Sequence, residues 1–244
     1  MKVISNSRSN HGWTEIDYLM SKPAPSPVMT KLVNYTASFA GGFASGITGE
    51  LVTLCQNKKL NFEGLTSNAF SDNVIISGAQ MVAKDASKDI LKKMSVFSKM
   101  STENPLLFGA ATGLPMWALT RIVGSPLQNS HKKDAKPFDG YCKSVKDDFA
   151  YHTVKNALDE YCGVNIFPTV LPKLDGILTK RIVEGTIAGI VGAGSHILAF
   201  PVKSRLAGQT LPMAFSACEK TFMKVAVKKV TYSIARPRAL KLLQ

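Results

Sequence analysis

Signatures of catalysis and metal binding are missing from this chain. Its four cysteines (Cys55, Cys142, Cys162 and Cys218) form no CxxC pair and no disulfide framework, so they read as free thiols. The histidines (His11, His131, His152 and His196) include no pair four residues apart that would hold a metal. GxSxG, Walker A and HExxH are absent. So are zinc-ligand spacing, an RNA-binding signature and basic residues interleaved with aromatics. The expectation is therefore no enzyme, no cofactor, no metal centre and no nucleic-acid partner. Acid is scarce as well: 17 Asp and Glu stand against 30 Lys and Arg, a net charge of +13. With nucleic acid set aside, an anionic phospholipid surface is the remaining usual partner of such a surplus.

Charge is thinnest in three stretches. Val33–Cys55 carries only Glu50, Pro105–Gln128 only Arg121, and Ile182–Val202 only Glu184. Each is about as long as a bilayer core is thick once wound into a helix. Bases flank them: Lys58 and Lys59, Lys132 and Lys133, Lys203 and Arg205. Bases at span ends suit phospholipid head groups. Three membrane spans are expected, the alternative being long helices buried in a large assembly.

The same stretches share a pattern. Gly42 and Gly46 begin Gly-x-x-x-Gly-Ile-x-Gly, Gly185 and Gly189 begin the same string, and Gly109 and Gly113 begin Gly-x-x-x-Gly-Leu. Small residues four apart let another helix approach the backbone closely. Recurrence at this period marks a repeat architecture. A second, more charged helix is expected after each span: Asn73–Lys93, then Gly140–Phe149 and His152–Leu174, then Phe222–Leu243. The last has six bases and no acid. Met1–Thr30 reads as a polar, proline-rich arm without a cleavable targeting peptide. Residues 31–244 read as one all-α membrane domain of six helices in three two-helix repeats, near 31–100, 101–180 and 181–244.

These residues resemble the mitochondrial carrier family from about Val33 onward. Its odd helices end in P-x-[D/E]-x-x-[K/R]. Here Pro126 is followed by Gln128 at the acidic position and His131 at the basic one. Pro201 is followed by Lys203 at the acidic position and Leu206 at the basic one. The first stretch has no proline between Pro27 and Pro105. Glu63-Gly64-Leu65 and Phe138-Asp139-Gly140 are similar to the family's short matrix helix, and Asp85 and Lys88 keep part of its second-helix motif. The resemblance implies six transmembrane helices around a pseudo-threefold axis in the mitochondrial inner membrane.

It also implies acid–base pairs that form and break as transport alternates. With the acids lost, a ring of pairs is not expected, and Lys203 would meet like charge. The expected role is a non-transporting accessory subunit of a respiratory-type complex, touching other subunits and cardiolipin-like phospholipid. The alternative is an active, divergent carrier for an anion, with Arg121, His196, Lys224 and Lys228 in its cavity.

Overall fold

Among the described residues, alanine, serine, threonine and glycine, not leucine, fill the interior. The computed structural model describes residues 26–244. Among them there is no strand, and the long helices are α1 (Pro27–Gln56), α3 (Asn68–Lys92), α5 (Pro105–Ser130), α6 (Tyr141–Tyr161), α8 (Ile177–Leu198) and α10 (Leu211–Leu243). Short helices lie between them: α2 (Phe62–Leu65), α4 (Ser95–Glu103), α7 (Phe167–Val170) and α9 (Phe200–Ala207). The packing described below is that of Val33–Gln244, which forms one compact unit.

The long helices pack in chain order and close on themselves. A Cβ placed on Gly42 would lie 2.9 Å from the Gly78 Cα of α3, and one on Gly46 3.0 Å from the Val74 Cα. On Gly109 it would lie 2.8 Å from the Ala157 Cα of α6, and on Gly113 2.5 Å from the Thr153 Cα. On Gly185 and Gly189 it would lie 2.9 Å and 3.0 Å from the Ala226 and Phe222 carbonyls of α10. Each glycine pair thus meets the backbone of the next long helix, which no side chain would permit. Further contacts join α3 to α5 and α6 to α8. Gly41 of α1 lies against Tyr232 and Arg236 of α10, closing the circuit.

Hydroxyls can be buried at such crossings because they bond within their own helix. Thr112 donates to the Gly109 carbonyl at 2.7 Å, Thr120 to Met116 at 2.8 Å, Ser195 to Val191 at 2.6 Å and Ser45 to Gly42 at 2.9 Å. The largest fully buried side chains are Phe108 and Met116, followed by Thr112, Thr120 and five serines. Large apolar groups such as Phe39, Leu107, Leu114, Ile122, Ile190 and Leu198 point outward.

Several helix limits differ from those the sequence suggests. The segment Pro27–Thr30, assigned to the polar arm, is helical, and Met1–Pro25 lie outside the described residues. α5 continues through Pro126 to Ser130, two residues beyond the expected stretch Pro105–Gln128. A proline removes only one intrahelical bond, and Gly124 and Ser125 are buried there. Gly140–Phe149 and His152–Leu174 are not two helices. One helix runs to Tyr161, because nothing near Ala150 interrupts it, and a π turn at Cys162–Ile166 follows. Pro168 lies just beyond and cannot donate to the carbonyl four residues back. α10 starts at Leu211, well before Phe222. The third apolar stretch is bent by 51° between α8 and α9, where Pro201 stands at the start of the second segment.

Among the described residues, Pro105–Ser130 is long and apolar enough to cross a membrane, and α8 with α9 qualifies as a bent pair. α1, which contains the expected span Val33–Cys55, does not reach that hydropathy. Its inward residues Ser38, Ser45 and Glu50 are polar, and its glycines add little.

One buried amide organises the loop after α5. Asn129 Nδ2 lies 3.1, 3.1 and 3.0 Å from the carbonyls of Lys136, Pro137 and Asp139. Asn129→Asp would turn this donor into an acceptor facing three carbonyls. It should cost about 3 kcal/mol, the upper range for a buried group left unsatisfied. A chemical-denaturation midpoint unchanged by N129D would contradict this.

Candidate functional site

The circuit of helices surrounds an open-sided cavity of about 830 Å³. Its wall is built by side chains one turn apart on α3, α6 and α10, the more charged helices: Lys84 and Lys88, Lys155 and Asp159, Lys224 and Lys228. Four-residue spacing puts each pair on one face. The glycine-led helices contribute Ser45, Glu50, Trp117, Val191 and His196.

Toward the C-terminal ends of α3, α6 and α10, charges join the helices directly. Lys84 pairs with Asp159 at 3.3 Å, and Lys88 pairs with Glu160. Arg236 lies 4.0 Å from Asp85 and donates to Ser38 Oγ at 3.0 Å, while Ser38 donates to Asp85 at 2.5 Å. Asp85 and Lys88, singled out by the sequence, therefore serve different partners: Asp85 faces α1 and α10, and Lys88 faces α6.

The C-terminal ends of the glycine-led helices are tied differently. Glu50 of α1 accepts from Lys224 of α10 at 2.6 Å and from Asn73 of α3 at 3.1 Å. His131, just past α5, lies 3.3 Å from Asp72 of α3. Lys203, in α9, pairs with Asp148 of α6 at 3.0 Å. The expectation that Lys203 meets like charge is corrected: α6 supplies a carboxylate. Gln128 accepts from Arg121 of its own helix at 3.0 Å. Pro126 stays inside α5, and Pro201 starts α9.

The four proposed cavity residues separate. His196, Lys224 and Lys228 line the wall, and Arg121 does not: its guanidinium lies 5.7 Å from the Trp117 ring. His196 hydrogen-bonds Thr221 at 3.0 Å and stacks on Tyr151 at 4.3 Å. Trp117 stacks on His152 at 3.9 Å, so an aromatic strip crosses the wall from α5 through α6 to α8. Sequence reading missed Glu50, Ser77, Asp148, Asp159 and Glu160. The paired spacing on α3, α6 and α10 was available as a signal; their partners were not. Among the described residues, no group of three His, Cys, Asp or Glu could hold a metal. Comparison with known proteins gave no match to a family model, a curated protein or a solved structure.

Proposed function

We propose that this chain is a carrier-type membrane protein that works as a non-transporting structural subunit of a mitochondrial inner-membrane complex. The observation that carries this is the fastening of the glycine-led helices. Alternating access needs their ends to pair with one another in one state and part in the other. Here Glu50, His131 and Lys203 are each held by α3, α6 or α10, and Gln128 is held within its own helix. A group already bonded to its neighbour has little to gain from a second state.

The membrane setting is supported by the inverted side-chain distribution, with small polar groups inside and large apolar groups outside. Glycine pairs that each meet the next long helix support three two-helix repeats. The mitochondrial address rests on the family resemblance, and the respiratory-type partners rest on the departures from its motifs at Gln128 and Lys203 and on the charged second helices. Bases at the helix ends suit cardiolipin-like phospholipid.

The cavity favours a second reading, a carrier for an anion. Reconstitution in liposomes separates the two. The structural reading expects no saturable uptake of labelled phosphate or dicarboxylate above protein-free vesicles. Saturable, protein-dependent uptake would overturn it.

A further inference from the structure

One part of the cavity wall is a connection rather than a long helix. Cys162, Gly163, Val164 and Phe167, between α6 and α8, line it. α4, the other connection at this end of the bundle, contributes no lining residue. The backbone is also unusual here. The π turn Cys162–Ile166 is the only one among the described residues, and such turns are rare and gather at functional sites.

A glycine stands toward each end of the connection, and packing demands neither. A Cβ on Gly163 would meet nothing within 4 Å, and one on Gly176 would meet Thr179 Oγ1 at 3.6 Å. Gly176 has φ +76°, a conformation that glycine adopts without steric cost. Between them, Pro168 and Pro172 fix their own φ. The middle of the connection is therefore stiff, and its ends are free to turn.

The connection is held lightly. It packs chiefly on itself and on the end of α6. Its side-chain hydrogen bonds are local: Asn165 donates to the Tyr161 carbonyl at 3.3 Å, and Thr169 to the Asn165 carbonyl at 2.9 Å. Phe167 makes the tie across to α10, its ring centroid 5.4 Å from Lys229 Nζ. A cation over a ring is a modest attraction, and segments with few buried contacts open far more easily than the whole fold. Yet Cys162 is 5% exposed, while Gly163 and Val164 beside it are exposed.

We propose that segment 163–176 is a strap that swings about its two glycines and covers this part of the cavity, latched by Phe167 on Lys229. Closed, it keeps solvent from Cys162. Open, it admits solvent and solutes from the end of the bundle where α3 and α6 terminate. The strap sets access to the cavity whether or not the chain transports.

The test uses the full-length protein in detergent carrying Cys55→Ser, Cys142→Ser and Cys218→Ser, so that Cys162 alone reacts with N-ethylmaleimide. Labelling, followed by intact mass, should be about tenfold or more slower than in a protein keeping only the exposed Cys142, as a thiol reached by local opening requires. Phe167→Leu, which loses the ring but keeps apolar bulk, should speed it about fivefold. Phe167→Ala should speed it about tenfold or more, because packing is lost too. Phe167→Tyr should leave it unchanged. Gly163→Ala has room for its methyl and should slow labelling a few-fold by stiffening the hinge. A protein keeping only Cys218, whose thiol donates to the Ala193 carbonyl of α8 at 2.9 Å, reports on the bundle itself. Its rate should not respond to Phe167→Ala. Cys162 labelling as fast as Cys142, rates indifferent to the Phe167 variants, or equal acceleration at Cys218 would each overturn the strap. Liposome uptake bears on transport alone and leaves the strap standing either way.

Discussion

Alanine at Gly113 is expected to destabilise the protein by about 3 kcal/mol, the upper range for overpacking, while alanine at Gly194 stabilises it. Both glycines lie inside helices, and on propensity alone each replacement gains about 1 kcal/mol. What differs is the space. A Cβ on Gly113 would lie 2.5 Å from the Thr153 Cα and 2.9 Å from its nitrogen. Those are backbone atoms of α6, which move only if the whole helix moves. A Cβ on Gly194 meets nothing within 4 Å. Thermal melts of the two variants in the same detergent should therefore shift in opposite directions. Shifts of the same sign would mean that α5 and α6 do not cross as closely as described.

Glu50→Ala is the second large effect. Glu50 is 7% exposed and holds Lys224 at 2.6 Å and Asn73 at 3.1 Å. Removing one partner of a buried pair leaves the other uncompensated, typically at a cost of about 3–5 kcal/mol. The lower end applies, because the Lys224 side chain is 32% exposed, facing the cavity. Lys224→Met added to Glu50→Ala should recover much of the loss, since the stranded charge is then removed as well. A double variant no more stable than E50A in denaturant unfolding would show that Glu50 acts through Asn73 rather than through the ion pair.

The two residues differ in how far the sequence reveals them. Gly113 is legible because a four-residue glycine spacing in an apolar stretch has one good structural use, close helix contact. All six glycines picked on that ground lie against a neighbouring backbone. Glu50 was visible only as the one charge in its stretch. Its partner Lys224 is 174 residues away, and pairing across that distance depends on α1 and α10 being neighbours. For the same reason Asp148 could not be assigned to Lys203, nor Asp159 to Lys84.

Helix limits were legible where a capping residue stands. The expected start at Pro105 is the observed start of α5, where Asn104 accepts from the Leu107 amide at 3.1 Å. The family motif places Pro126 near the end of its helix, and there the helix runs on to Ser130 with Pro126 inside it. Hydropathy misled at α1, where glycine and serine passed for apolar length. These residues serve close packing and add little to mean hydropathy.

The central claim, a carrier-type helix circuit kept as a fixed part of a larger complex, is tested most directly on native membranes. Mild detergent extracts would be separated by native electrophoresis and the protein quantified across the gel. The account predicts stoichiometric comigration with a complex many times its own mass, persisting through a second purification step. A protein that runs alone, away from every large complex, would contradict it.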